Sequence, residues 1–354
     1  MLHTEDGLIA GQNRTPCALT GNSHMLQNNT EQGRSQPPAE NRQASISEDK
    51  GQPPATAEAR SGRRRWKRYA VGVFFSVIWS SAFIAGKVVV MEMGPFATLF
   101  YRFTLTVLVL LLFCGKKLLG PEGRQAMLPG LLLGLLNNVV YLGLNFSALR
   151  YLAASWVVIV VSCAPFMTMA MAALRGQESF DKRKLLGLTV AFAGVVVMVG
   201  ITGLHEGAGL GLGMAIAATL SFSAGAVLFR GKYDALPLLA LNFWMTLCGM
   251  LCFAPAAFMT PANPLHITWP ALAALLWLVV VSLAGMALWL LLIRTQGPSM
   301  AASYNMLNPL SGLALSALLL GTAIGVQDVV GAAAIVAGLY VALRPGHAPQ
   351  MAQK

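Results

Sequence analysis

The sequence predicts an all-α membrane protein with ten transmembrane helices, arranged as two inverted repeats of five helices each. Three observations predict this fold class. Of the 354 residues, 56% are hydrophobic and only 11% are charged, against roughly a quarter charged in soluble domains. Ten apolar stretches, nearly all long enough to cross a bilayer, follow one another along the chain. Residues in the first half of this series recur in the second half at a nearly constant offset.

The apolar stretches, bounded by turn and charge signals, predict the ten helices in chain order. They cover residues 70–90, 96–114, 127–149, 152–174, 184–201, 209–229, 237–259, 270–293, 299–321 and 328–343. With the N-terminus in the cytoplasm, nearly all Lys and Arg beside these spans face inward, and only Lys87 and Arg150 lie at outer ends. This bias predicts cytoplasmic N- and C-termini and a multi-pass protein of the cytoplasmic (inner) membrane.

The two ends of the chain differ in composition from the spans. Residues 1–62 contain no aromatic residue and are rich in Gln, Asn, Pro and Ser, so we predict a disordered cytoplasmic tail. Residues 344–354 are predicted to form a cytoplasmic C-terminal tail. The chain between them divides into a first five-helix repeat, 70–201, and a second, 209–343.

The register of the repeat is unbroken over the later part of each half. At an offset of 144 residues, five residues of the first half match residues of the second: Arg150 and Arg294, Ser155 and Ser299, Pro165 and Pro309, Gly187 and Gly331, Gly194 and Gly338. Because each half holds an odd number of spans, the second half must enter the membrane upside down relative to the first. Inverted repeats are typical of secondary carriers, in which a midplane site is exposed alternately to each side. The pattern therefore predicts transport by alternating access.

Four segments carry a resemblance to a known family: IWSSAF (78–83), GPFATLFYRF (94–103), LRYLAASWVVIVVSCAPF (149–166) and RGQESFDKRKLLGLTVAFAGVVVM (175–198). In this order and spacing they resemble the EamA-type branch of the drug/metabolite transporter superfamily. The resemblance covers both halves and is closer in the first. It implies a carrier of two inverted five-helix repeats that moves small metabolites, often outward, through a central cavity.

The second half departs from the family pattern at one position. Thr322 stands where the family has an acidic residue, which the first half keeps as Glu178. We therefore expect the two halves to behave differently.

Polar side chains at helical spacing predict which faces line a cavity, because an unpaired amide facing lipid costs several kcal/mol. The candidates are Trp79, Ser80, Thr98, Tyr101, Arg102, Thr106, Asn137, Tyr141, Asn145, Tyr304, Asn305 and Asn308. Hydrogen bonds between packed helices are the alternative role for the Ser, Thr and Asn residues, and membrane anchoring is the alternative for tryptophan. Pro165 and Pro309 are predicted to kink their helices.

Arg102 is the one charge within the apolar run FATLFYRFTLTVLVLLLF (96–113). Three roles stay open for it. The side chain can reach the outer headgroups, about 9 Å away along the helix. It can hold the structure together by donating to helix-end carbonyls or to Glu92. It can also bind an anionic group of the substrate, such as a carboxylate.

The remaining residues exclude other classes of function. All acidic residues after the tail lie in loops or at span ends, so we do not expect the proton exchange through a first-helix glutamate that small multidrug carriers use. No enzyme motif, metal site or cofactor site is predicted. The expected partners are a small-molecule substrate and the lipid bilayer, with no nucleic acid and with a homodimer left open. The alternatives are a carrier of lipid-like or nucleotide-linked compounds and a non-transporting membrane receptor or assembly protein.

Overall fold

A computed structural model describes residues 55–201, 208–259, 267–321 and 323–343, with side chains described from Tyr69 onward. Most of the predicted N-terminal tail, the whole C-terminal tail and Thr322 lie outside these residues. The described chain forms helices joined by short turns and contains no strand. Helix begins at Ala55, so the last residues of the predicted N-terminal tail, 55–62, are helical and continuous with the first span.

Helical segments occupy all ten predicted positions. They are α1 (Ala55–Met93), α2 (Pro95–Leu118), α3 (Met127–Ala148), α4a (Ala154–Val161) and α4b (Ala164–Leu174), α5 (Lys182–Val199), α6 (Ala208–Tyr233), α7 (Leu238–Met259), α8 (Trp269–Gln296), α9a (Pro298–Ser303) and α9b (Asn308–Leu320), and α10 (Val326–Leu343). A short helix, Pro121–Gln125, connects α2 to α3, and a 3-10 turn, Tyr304–Leu307, joins α9a to α9b. After each interruption, in α4 and in α9, the helix resumes one residue before a proline, Pro165 or Pro309.

Eight helices of the described chain are long and apolar enough to cross a membrane. The predicted fifth and ninth spans are not among them. Helix α5 begins with the charged run Lys182, Arg183 and Lys184, and the 3-10 turn divides α9. Length and composition of the eight helices confirm an all-α membrane protein.

The packing of α5 against α10 shows how the two repeats are related. A Cβ atom on Gly187 would lie 2.5 Å from the carbonyl oxygen of Gly338, and one on Gly194 would lie 2.7 Å from that of Gly331. Gly331 is the repeat equivalent of Gly187, and Gly338 is that of Gly194. Each glycine therefore meets the equivalent of the other, which is the contact pattern of two antiparallel helices related by a two-fold axis. Small residues allow this approach of the two backbones.

A pair of hydrogen bonds repeats the same symmetry in the centre of the bundle. Ser80 Oγ donates to the carbonyl oxygen of Asn308 at 3.1 Å, and Ser223 Oγ donates to that of Ala164 at 3.3 Å. Asn308 and Ala164 are equivalent at the offset of 144 residues. Helix α1 packs on α8 and α9, and α6 packs correspondingly on α3 and α4. These pairings fit two inverted repeats.

The bundle has two ends, which we name by their residues. At the base, Tyr69 Oη donates to the carbonyl oxygen of Leu343 at 3.0 Å. At the rim, the carboxylate of Glu92 accepts hydrogen bonds from the backbone N–H of Thr268 at 3.1 Å and from its hydroxyl at 2.5 Å. A buried core lies between the ends, where Phe75 and Phe222 both stack on Trp289, and Phe222 also meets Tyr141 with ring centroids 4.7 Å apart.

Candidate functional site: a polar cavity inside the bundle

Three adjoining cavities lie within the bundle and share Tyr141 and Leu142 in their walls. Their volumes are about 40, 100 and 350 Å³. We call them the inner, middle and outer cavities. Trp79 and Arg102 line both the inner and the middle cavity, and Phe83 and Phe146 line both the middle and the outer one. A connected series of spaces therefore runs past Tyr141.

Arg102 is the one charged side chain among the described residues that line these cavities. Its Nε donates to Ser282 Oγ at 2.6 Å, and that hydroxyl donates in turn to the carbonyl oxygen of Leu278 at 2.9 Å. The guanidinium carbon lies 5.6 Å from the centre of the Phe103 ring. Snorkelling to the headgroups is thus not the conformation observed, and Glu92, the carboxylate considered as a partner, bonds Thr268 instead.

No carboxylate neutralises Arg102 within the described chain. The ion pairs found there are Lys184 with Glu178 and Arg230 with Asp234, both at the base. The bond to Ser282 uses Nε alone, so both Nη atoms lack a hydrogen-bonding partner among the described residues. A partly buried guanidinium of this kind is suited to an anionic ligand, which it can bind through two parallel N–H donors.

Amide side chains form the rest of the polar wall of the inner cavity. Asn138 Nδ2 donates to the carbonyl oxygen of Met245 at 2.8 Å, and Asn242 Nδ2 donates to that of Ser282 at 3.2 Å. Asn137 Nδ2 donates to the carbonyl oxygen of Leu133 at 3.1 Å, while its Oδ1 has no partner among the described residues. Both Asn137 and Asn138 belong to a π-helical turn, Leu135–Val140, a local widening of helices that is frequent at functional sites.

The outer cavity separates α4a from α9b near the rim. Val157, Val158 and Val161 line it from α4a, and Asn308, Pro309 and Gly312 line it from α9b. Near the base, by contrast, α4b packs directly on α9a. The site is therefore closed toward the base and widens toward the rim.

Two family matches cover most of the chain. The model of the EamA-like transporter family matches residues 66–200 and again residues 209–344. The chain belongs to the EamA-like transporter family. It is consequently a multi-pass membrane transporter, and the resemblance seen in the sequence motifs is confirmed.

Curated relatives of this EamA protein are transporters. A protein of Salmonella typhimurium named probable amino-acid metabolite efflux pump is 26% identical over 279 residues, which are 75% of this chain and 91% of the relative. A protein of Escherichia coli with the same name matches with the same identity and coverage. An uncharacterized transporter of Archaeoglobus fulgidus is 26% identical over 281 residues, 77% of this chain and 95% of the relative.

A crystal structure of another protein shares the fold. Its TM-score is 0.66 at 17% sequence identity, and the match covers 78% of this chain and 97% of that chain. At this identity the likeness concerns the fold alone.

Eight of the twelve candidate cavity residues of the EamA protein line the three cavities, one of them, Thr98, in the middle cavity. The other seven are Trp79, Arg102, Asn137, Tyr141, Asn145, Asn305 and Asn308. Pro309 also lines the outer cavity.

Four candidates are held elsewhere by bonds within the bundle or by aromatic packing. Ser80 bonds the backbone of α9, Thr106 Oγ1 donates to the carbonyl oxygen of Arg102 at 2.7 Å, and Tyr304 Oη donates to Gln296 Oε1 at 3.0 Å. Tyr101 packs against the Phe100 ring. The polar groups of Ser80, Thr106 and Tyr304 are thus satisfied by hydrogen bonds within or between helices.

Five polar residues of the cavity walls were not among the sequence candidates: Asn138, Asn242, Thr246 and Ser282 in the inner cavity, and Ser162 in the outer cavity. Asn242 and Thr246 stand four residues apart on α7, a polar stripe of the same kind as those used to find the other candidates. Asn138 directly follows a candidate. Ser282 carried no signal of its own, because a single serine in an apolar helix is more often a packing residue.

The closed base depends on a polar cluster that links the two repeats. Glu178 follows α4b, and its carboxylate accepts from the backbone N–H of Ser299, at the start of α9a, at 3.1 Å. Lys184 Nζ lies 3.0 Å from the same carboxylate, and the Ser299 hydroxyl bonds both groups. Beside it, Gln177 Nε2 donates to the carbonyl oxygen of Val227 on α6 at 3.0 Å. Consecutive residues of the first repeat thus bond two helices of the second.

Proposed function

We propose that this protein exports amino acids or related small polar metabolites across the cytoplasmic membrane by alternating access, as a secondary transporter. The observation that carries the proposal is Arg102, a cation without a carboxylate partner in the wall of an internal cavity. Placing a charge there is costly, about 2.5 to 3.5 kcal/mol on insertion scales, unless an anion meets it. A substrate carboxylate supplies that anion. The names of the two bacterial relatives support the same class of substrate.

Alternating access is supported by the difference between the two ends of the bundle. The repeats bond each other at the base through Glu178, whereas the outer cavity keeps α4a and α9b apart near the rim. Rocking of inverted repeats exchanges such open and closed ends around a fixed site. We propose that the base faces the cytoplasm, with both termini, because the basic residues cluster there.

Purified protein in liposomes tests the function directly. Vesicles loaded with a panel of labelled amino acids, organic acids and amines are expected to exchange amino acids and closely related compounds. We expect Arg102→Ala to remain at the wild-type level in the membrane and to lose at least tenfold in flux, since the loss of a charged hydrogen bond is worth about 1.5 to 3 kcal/mol. Arg175→Ala is the matched control, because Arg175 is an exposed arginine at the base. Wild-type flux in the Arg102 variant would contradict the proposal.

A carrier of lipid-like compounds is the second candidate, and one observation favours it. The outer cavity has apolar walls, including Val157, Val158, Phe146 and Leu149, and the Phe83 side chain in its wall is 61% exposed. Exchange of long-chain amphiphiles, with no exchange of any amino acid in the panel, would favour this candidate over the first.

A further inference from the structure

The inner cavity presents two groups that recognise opposite charges, and Arg102 is the first. Its Nε is engaged by Ser282 Oγ at 2.6 Å, and Ser282 is held by its own bond to Leu278. Fixing Nε in this way orients the plane of the guanidinium and leaves both Nη atoms for a ligand. Two parallel N–H donors fit the two oxygens of one carboxylate.

Asn137 is the second group, and it offers an acceptor. The hydrogen bond from Nδ2 to the Leu133 carbonyl determines which end of the amide is which, so the oxygen is the free end. The side chain is 4% exposed, and Oδ1 has no partner among the described residues. A buried acceptor left unpaired is costly, so this oxygen favours a ligand that donates N–H.

Gly225 on α6 holds the Asn137 amide in place. A Cβ atom at Gly225 would lie 2.6 Å from Asn137 Nδ2 and 2.8 Å from Oδ1. The close approach of α6 therefore leaves the amide no room to turn in that direction. The acceptor is preorganised rather than adaptable.

Aromatic faces complete the environment of a cation. Trp79, Tyr141 and Phe222 line the same cavity as Asn137, and ring faces attract an ammonium group. Within the described walls there is no carboxylate that could bind an ammonium group instead. The amide oxygen and the aromatic rings are thus neutral groups suited to a cation, and they line the same cavity as the cationic Arg102.

We propose that the inner cavity binds the head group of an α-amino acid at both ends, with the carboxylate on the Nη atoms of Arg102 and the ammonium on Asn137 Oδ1. The substrate side chain then extends through the middle cavity, past Tyr141, toward the outer cavity. Because those walls carry no further charge, the side chain that fits is uncharged. This inference rests on the proposed function and names its substrate class.

The experiment removes each end of the substrate in turn. The amino acid that the liposome panel shows to be transported best is compared with its own analogue without the amino group and its own analogue without the carboxylate. For leucine these analogues are isocaproate and isoamylamine. Wild-type protein is expected to prefer the complete amino acid to either analogue in competition for uptake. Equal competition by the analogue without the amino group would overturn the inference.

Variants then assign each preference to one residue. Asn137→Leu, which keeps the size of the side chain and removes the acceptor, is expected to reduce the preference for the amino acid over isocaproate about tenfold or more, the effect of one charged hydrogen bond. It should leave the preference over isoamylamine in place. Arg102→Gln is expected to reduce the preference for the amino acid over isoamylamine and to leave the preference over isocaproate in place. An unchanged amino-group preference in a well-folded Asn137→Leu protein would overturn the assignment.

Asn145→Leu is the matched control. Asn145 lies two turns further along α3, its Nδ2 donates to the Tyr141 carbonyl at 3.0 Å, and its Oδ1 is also unpaired among the described residues. It lines the outer cavity and not the inner one. We expect this variant to keep the wild-type amino-group preference, and a loss equal to that of Asn137→Leu would overturn the proposal.

The level of Asn137→Leu in the membrane and its thermal unfolding in detergent, both expected to match wild type, guard against misfolding. The two hypotheses fail differently. If no amino acid is exchanged, the proposed function fails; if amino acids are exchanged and Asn137→Leu retains the preference, only the head-group assignment fails.

Discussion

At the scale of single residues, Arg102 depends on a neighbour from the other repeat. Ser282 belongs to α8, 180 residues further along the chain, and accepts the Nε hydrogen bond in the cavity wall. The serine bonds Nε and not the two Nη atoms that are proposed to bind the substrate, so it acts as a positioning residue. Losing it should loosen the guanidinium without removing the charge.

Ser282→Ala is predicted to raise the KM for amino-acid exchange about threefold to tenfold, with a smaller change in maximal flux. The reason is the loss of one hydrogen bond, worth about 0.5 to 1.5 kcal/mol. Ser282→Thr keeps the hydroxyl and is expected to restore the wild-type KM. Initial rates over a range of substrate concentrations measure the effect. A variant whose KM is unchanged would show that Ser282 does not position Arg102.

At the scale of helices, the α5–α10 contact depends on glycines, because a side chain at these positions would collide with the backbone of the facing helix. The carbonyl oxygen of Gly338 would lie 2.5 Å from a Cβ on Gly187, and backbone cannot move aside as a flexible side chain can. Helix propensity alone favours alanine over glycine by roughly 0.5 to 1 kcal/mol. For a change of Gly187 to alanine, packing therefore predicts a loss of stability, whereas helix propensity predicts a gain.

Gly187→Ala is predicted to destabilise the protein, because overpacking typically costs about 1 to 3 kcal/mol and exceeds the gain in propensity. Gly213→Ala in α6 is the control: a Cβ there meets nothing within 4 Å, so the gain in propensity should remain. Thermal unfolding in detergent compares the two variants. A Gly187→Ala protein as stable as the Gly213→Ala protein would contradict the contact.

At the scale of the whole molecule, the two ends of the bundle are chemically unequal. Glu178 and Lys184 form an ion pair at the base with side chains only 17% and 11% exposed, and the pair bonds Ser299 of the other repeat. At the repeat offset of 144 residues, their sequence equivalents are Thr322, which lies outside the described residues, and Asp328, a pair of residue types that cannot form an ion pair. The carboxylate of Asp328 accepts instead from the backbone N–H of Gly325 at 2.8 Å.

Glu178→Gln is predicted to shift the protein toward the conformation that is open at the base, because it removes the ion pair and weakens the bond to Ser299. A single cysteine in the inner cavity, labelled from the base side with an impermeant maleimide, should then react faster. Asp234→Asn is the control, since Asp234 pairs with Arg230 within one repeat and both side chains are well exposed. Equal labelling rates for wild type and Glu178→Gln would contradict the proposal that the cluster of Glu178, Lys184 and Ser299 closes the base.

The proposed orientation is tested by labelling at the opposite side. Position 205 lies outside the described residues, in the connection between α5 and α6, and is predicted to face away from the cytoplasm. A single cysteine at position 205 should react with an impermeant reagent added outside intact cells. Protection there, with reaction only after lysis, would contradict both the orientation and the inverted topology.

Helix positions and the repeat could be predicted because both depend on local patterns. Apolar length locates the spans, and the glycines of α5 and α10 recur at a constant offset. The first helix begins at Ala55, earlier than the predicted start at residue 70, because the polar residues before the apolar span join it in one continuous helix. The polar stripes include eight residues that line the cavities, but the stripes could not separate them from Ser80 or Thr106, which bond backbone within the bundle.

The sequence by itself determined the membrane class, the helical spans, the duplication and the unusual charge at Arg102, since each follows from composition or from spacing along the chain. Only the tertiary structure decided what that charge meets. Its partner Ser282, the unpaired oxygen of Asn137 and the bond from Glu178 to Ser299 all depend on helices brought together from distant parts of the chain. Helical periodicity tells which residues share a face, but only the packing of the bundle determines which faces meet.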